Sequence, residues 1–206
     1  MAMYRKVCRH YFICLKPNGV AVCFMSKIKF MKRIIISSIM ATALLFNSCK
    51  STDELDMTTV KQLDVNKYMG QWYEIARYQH HFEKDLEGVQ AHYTLMDDGM
   101  IRVKNSGYKD SLGGKYKEII GKARKKSGES AGNLEVSFFW IFYSDYKILE
   151  LDSVNYSYAL IGSDSDKYLW ILSRTPKMKP DDLDYLLDRI VDRGYDINAL
   201  YWVTQP

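Results

Sequence analysis

The sequence predicts an all-β fold: eight antiparallel strands running up and down and closing into a barrel, with one C-terminal α-helix packed outside and a short final strand. Three observations predict it. Short alternating apolar and polar segments recur between residues 70 and 174, separated by turn signals at close, regular spacing. No stretch between them is long enough for a crossover helix, which argues against a parallel sheet. The period then changes once, after Pro176 and Pro180, to that of a single helix. The chain has 206 residues, 16 of them Tyr and only 4 Pro, which suits one strand-rich domain.

The barrel domain is expected over 65–206. Val65 to Met69 reads as a short entry segment. Gly70-Gln71-Trp72-Tyr73-Glu74-Ile75-Ala76-Arg77 opens the first strand, roughly 70–78. Strict alternation puts Trp72, Glu74 and Ala76 on one face and Tyr73, Ile75 and Arg77 on the other. A Trp near the start of such a strand is a large apolar plug for one end of a barrel. His80 to Gly88 carries charges and reads as a loop, and Val89 to Leu95 is the second strand. Asp97-Asp98-Gly99 is a hairpin turn, with Gly at the positive-φ position. Ile101 to Tyr108 is the third strand, Gly113-Gly114 a bend, and Tyr116 to Lys125 a Lys-rich fourth strand. Gly128 to Gly132 turns the chain into the fifth, Asn133 to Phe139.

Trp140-Ile141-Phe142-Tyr143 reads as an unusually aromatic loop. Three fates are open for it: capping the barrel, dipping into a membrane, or burial in a dimer. Tyr146 to Asp152, Tyr158 to Gly162 and Tyr168 to Arg174 are the sixth, seventh and eighth strands. Leu183, Leu186, Leu187, Ile190 and Val191 then form one apolar helical stripe. Asp181, Asp182 and Asp184 lie in its first turn and Gly194 ends it. Leu200 to Val203 is the final strand.

The front of the chain differs in charge from the body. Of the 29 Lys and Arg, eight fall within residues 1–48 together with no Asp or Glu. This leaves 21 basic against 25 acidic side chains, net −4, in the remainder. A basic leader before a mildly acidic body fits an exported protein and offers no sustained basic surface to a nucleic acid. Met31-Lys32-Arg33 followed by the apolar run Ile34–Phe46 has the layout of a secretory signal over 31–48. That run is shorter than the about 20 apolar residues a transmembrane helix needs. Residues 1–30 are expected to be a start-codon overcall, Met31 being the better start, or else a long leader. All four Cys (Cys8, Cys14, Cys23 and Cys49) lie at or before position 49, so the domain has neither a disulfide nor a thiol nucleophile.

Leu45-Phe46-Asn47-Ser48-Cys49 resembles a lipobox, which implies acylation of Cys49 and cleavage before it; the alternative is plain cleavage near Ser48. Residues 49–64 then form the acylated Cys and a polar tether. Lys50 follows where an inner-membrane retention Asp would stand, which favours the outer membrane.

An eight-stranded barrel can hold one small ligand. Tyr93, Phe138, Trp140, Tyr143 and Trp170 are the candidates for cavity or rim, with packing on the outer face as the competing assignment. No Cys, no glycine-X-serine-X-glycine elbow and no HExxH offers catalysis. The domain's only histidines are His80, His81 and His92. The adjacent pair point opposite ways in an extended segment, so no metal site is expected.

Gly70-Gln71-Trp72, Asp152 to Tyr156, and Arg174 resemble in order the three motifs of the lipocalin family. The resemblance to its bacterial branch also runs through Val136-Ser137-Phe138-Phe139 and Tyr168-Leu169-Trp170-Ile171-Leu172-Ser173-Arg174-Thr175-Pro176, and covers roughly 65–206. It implies that Gly70, Trp72 and Arg174 are structural, with Arg174 stacked on Trp72 at the closed end. It implies a fatty acid or lysophospholipid as ligand, no cofactor, no nucleic acid and no enzymatic activity. It also implies a membrane anchor at Cys49 and a place in the outer membrane, as a monomer or homodimer. Haem or porphyrin carriage, through His80 or His81, and a lipocalin-fold isomerase or hydrolase are the alternatives.

Overall fold

The computed structural model describes residues 55–206; the expected leader, the signal segment and Cys49 lie outside the described residues. The barrel consists of β1 (Gly70–Tyr78), β2 (Leu86–Leu95), β3 (Ile101–Lys109), β4 (Tyr116–Lys125), β5 (Asn133–Phe139), β6 (Phe142–Leu151), β7 (Tyr158–Gly162) and β8 (Leu169–Ser173). Each pairs antiparallel with the next, and β1 pairs with both β2 and β8, so the sheet closes on itself. Closure removes the free strand edges that an open sheet would present.

The closure is uneven. β2 follows β1 only from Gly70 to Tyr73. Beyond that, β9 (Leu200–Trp202) takes the vacated edge at Ala76 to Tyr78. The C-terminal tail seals the seam: the Gly88 N–H donates to the Thr204 carbonyl, and the Gln205 amide donates to the carbonyls of both Glu74 and Val89. β4 follows β5 only from Lys122 to Lys125, although it follows β3 along its whole length from Tyr116.

Two departures from simple alternation matter. A bulge between Glu74 and Ala76 puts an extra residue into β1, so Arg77 pairs opposite Trp170 and points inward with Trp72 and Glu74. Ile75 and Ala76 turn outward into the layer under the helix. This corrects the face expected for Arg77 and Ala76, because one inserted residue inverts the parity of everything after it. Second, β6 begins at Phe142, so the stretch expected as a loop is a tight turn at Trp140-Ile141 between two strands.

α2 (Pro180–Asp192) starts with Pro at its first turn and buries Leu186 and Ile190 against the outside of the barrel. Gly194 ends it at φ 86°, with the Tyr195 N–H donating to the Ile190 carbonyl. Residues 55–64 are laid onto this scaffold. The Asp56 N–H donates to Arg193 and the Val60 N–H to Ile148. The buried Arg193 guanidinium donates to the carbonyls of Asp56, Thr58 and Leu149 and to the Glu150 carboxylate. The chain then enters the one-turn helix α1 (Val65–Tyr68), capped by the Asp64 carboxylate.

The candidate cup, its base and its mouth

The base is built by α1 and the ends of β1 and β8. Trp72 is fully buried, and its indole N–H donates to the Tyr68 carbonyl at 2.9 Å. The Arg174 guanidinium lies over the ring, 3.8 Å from its centroid, a cation–π contact of about 0.5–2 kcal/mol. It also donates to four carbonyls: Gln71 at 2.8 Å, Lys67 at 2.6 Å, and Tyr68 and Tyr156 at 3.1 Å. One planar fork thus joins α1, β1 and the loop before β7. Gly70 sits at φ 92°, which favours glycine, whereas an added Cβ would stand only at ordinary contact distance, 3.5 Å, from Arg174. Its requirement is therefore conformational rather than a matter of space.

Above the indole lies a floor of three tyrosines from three elements. The Tyr146 hydroxyl is 2.6 Å from that of Tyr68 and 2.9 Å from that of Tyr93. Burial pushes all three up from the ordinary phenol value, Tyr93 to about 12, so the chain of hydroxyls is neutral and linked through Tyr146 by two hydrogen bonds.

The wall above the floor is apolar and short in side chain. Ala91, Val103, Ala123 and Val136 face inward. Gly121 continues that face, and Phe138 lies across it so closely that a Cβ at Gly121 would fall 2.7 Å from the phenyl ring. One step further toward the mouth, Ile119 faces inward opposite Asn105, yet it is 40% exposed. β4 runs here without β5 beside it, so solvent reaches Ile119 both from the mouth and through this open edge of the wall. The Asn105 side-chain oxygen is buried there without a hydrogen-bond partner.

One side of the mouth is ionic. Fully buried Arg77 donates to the Glu74 carboxylate at 2.7 Å and to the carbonyls of Glu83 and Leu86, with its other face over Tyr201. The Trp170 indole N–H donates to the Glu83 carboxylate at 3.1 Å, and His80 Nε2 lies 3.0 Å from the same oxygen. Glu87 accepts from the Tyr201 hydroxyl and the Thr204 N–H. Burial raises the Glu74 carboxyl well above the usual carboxylate range, and Glu83 adds to this while Arg77 opposes it.

A family model described as a lipocalin-like domain matches residues 63–205. The chain belongs to the lipocalin family. The outer membrane lipoprotein Blc of Vibrio cholerae is 42% identical over 163 residues, 79% of this chain and 94% of that protein. Its namesake in Escherichia coli K12 is 39% identical over 165 residues, 80% and 92% of the two chains. The temperature-induced lipocalin-1 of Arabidopsis thaliana is 38% identical over 162 residues, 75% of this chain and 86% of that protein. Among solved structures, insecticyanin from Manduca sexta superposes with a TM-score of 0.60 at 18% identity, over 74% of this chain and 86% of that one, and shows the shared fold alone.

Within this lipocalin the five aromatic cavity-or-rim candidates occupy five different settings. Tyr93 is buried in the floor, and Phe138 lies on the inner wall. Trp170 faces inward at the mouth, tied to Glu83. Trp140 is 90% exposed at the tip of the β5–β6 hairpin, away from the wall. Tyr143 lies on the outer face, its ring 4.2 Å from the Arg124 guanidinium and 6.0 Å from the Lys122 ammonium. The register shift next to the turn puts its extra residue on β5, between Val136 and Phe139, so β6 keeps its alternation there: Ser144 pairs with inward Val136 and its neighbour Tyr143 points out. His80 is stacked on Phe82 at 3.9 Å, and among the described residues no group of three His, Cys, Asp or Glu side chains has the arrangement to hold a metal ion. Sequence reasoning missed Glu74, Arg77, Glu83 and Glu87 as one network. The available signal was an arginine in an apolar strand, which a fold buries only with partners.

Proposed function

We propose that this lipocalin is a membrane-anchored protein that binds and carries or stores a single-chain lipid, a fatty acid or lysophospholipid, in the cup above the tyrosine floor. Cys49 carries the anchor, in the outer membrane. The observation that carries the reading is the exposed, inward-facing Ile119 beyond the short side chains of Ala91, Val103, Gly121 and Ala123, an apolar lining open to solvent at its mouthward end. The polar groups are few and placed. Asn105 offers an unpartnered acceptor that the glycerol hydroxyl of a lysophospholipid satisfies and the tail of a fatty acid does not. Lys117 faces inward opposite Gly107 nearer the mouth, where a head-group phosphate or carboxylate would lie. The names of the bacterial relatives and the signal-like front end support the anchor and its location.

The test is organic extraction of the protein purified from its own membranes, followed by mass analysis. The expected result is about one single-chain lipid per barrel. Extracts free of lipid, a Soret band in the purified protein, or turnover of added lysophospholipid to new products would each overturn the reading.

A further inference from the structure

We propose that the tip of the β5–β6 hairpin docks into a phospholipid surface and seats the mouth of the cup against the membrane. Phe139, Trp140, Ile141 and Phe142 are consecutive, and 72%, 90%, 75% and 76% of their surfaces are exposed. A soluble surface rarely presents four large apolar side chains together without a partner. The turn itself is locally unfavourable. Trp140 adopts φ 55°, a conformation that glycine, asparagine or aspartate takes in a hairpin with little strain and a bulky residue does not. The fold alone is thus served less well by Trp140 than by glycine, and the tryptophan needs another reason.

The hairpin is placed to reach a surface. β7 ends at Gly162, opposite Lys147, so Phe142 to Tyr146 run on past it, about 16 Å of strand at about 3.3 Å per residue. β4 leaves β5 beyond Lys122, so the tip is also free on that side. Lys122 and Arg124 flank Tyr143 just below the apolar tip, where anionic head groups would meet them.

Cys49 precedes Leu55, the first described residue, by six residues, a reach of about 20 Å at full extension. An anchor at Cys49, which belongs to the function proposed above, would hold the domain close to the bilayer that the hairpin meets.

The test uses the protein purified from its membranes and reconstituted in phosphatidylethanolamine–phosphatidylglycerol vesicles, with and without bromine on the acyl chains. The fluorescence difference between wild type and Trp140→Phe isolates Trp140. The expected result is at least about a twofold bromine quench of that signal, as for an indole about 5–10 Å below the head groups. The double substitution Phe139→Ser with Phe142→Ser should abolish the quench while near-ultraviolet dichroism stays unchanged. An unquenched Trp140 overturns the proposal, whether the tip stays in water or is buried in a second copy, which sedimentation would show as a dimer. A quench that the double substitution leaves intact also overturns it, because proximity from the anchor alone would then be sufficient. Intact mass reports acylation of Cys49, and extraction reports the cup's contents, so failure of either of those is seen separately.

Discussion

Arg174 at the base and Arg77 at the mouth are both arginines held inside one barrel, and they are held by different chemistry. Arg174 faces an indole and four carbonyls, none of which titrates. Arg77 faces the Glu74 carboxylate, with Glu83 close by and two carbonyls completing its fork. The contacts of Arg174 at the base therefore do not titrate between pH 5 and pH 8, while the mouth balances buried charges against their desolvation. A container needs this division: one end must never open, and the other must stay adjustable enough for a guest to pass.

The largest expected effect lies at the base. Trp72→Ala removes a fully buried indole and should lower unfolding free energy by about 3–5 kcal/mol in a urea titration. A loss under about 1 kcal/mol would mean that the base is not what holds the barrel shut. Arg174→Met keeps the stem over the ring but deprives four carbonyls of their donor, and about 2–4 kcal/mol should be lost. That loss should be the same at pH 5 and pH 8, since no partner titrates.

Glu74→Gln sharpens the contrast. Its native pKa is raised by burial above its unfolded value, so its contribution to stability is complete below about pH 4.5 and fades as pH rises through the native value. Melting temperatures measured from pH 5 to pH 8 should fall in the wild type and fall less in Glu74→Gln. An identical slope in both would remove Glu74 from the account of the mouth.

Asp152 carries the opposite sign at the base. Burial raises its pKa, but the backbone N–H groups of Asn155 and Val154 and the Ser157 hydroxyl more than offset this and bring it to about 2. Its contribution is present above the unfolded value near 4 and is lost as pH falls toward 2. The loop it orders presents the Tyr156 carbonyl to Arg174. Asp152→Asn should lose about 1 kcal/mol at pH 7, discounted for partial solvent screening, and flatten the acid limb of the stability curve. The smallest effect belongs to the hairpin tip. Trp140→Gly should leave the melting temperature unchanged or slightly raised, within about 0.5 kcal/mol, because it relieves a positive φ and unpacks nothing.

The barrel, the outer helix and the closed base were legible in the sequence because each leaves a local signature. Alternation marks strands, a 3.6-residue stripe marks α2, and Gly70-Gln71-Trp72 with Arg174 marks the base by resemblance. The mouth was not legible, because its contents depend on parity. One bulge after Glu74 turns Arg77 inward, and nothing within the eight residues from Gly70 announces it. The place of Tyr143, a candidate for cavity or rim that stands on the outer face, was open for a related reason: the tight turn at Trp140 set the phase of β6, and an apolar run carries no phase of its own.

By itself the sequence determined the number of walls, their order and the plug, since strand period, turn chemistry and helix stripe are written within a few residues of each other. Tertiary structure alone decided which side chains meet inside. Closing β1 against β8 through a bulge joined Arg77 to Glu74 and Glu83, and the short run of β5 on β4 left the Phe139–Phe142 tip bare. The physical reason is that register is a property of two strands together, and only their pairing fixes which face of each looks into the cup.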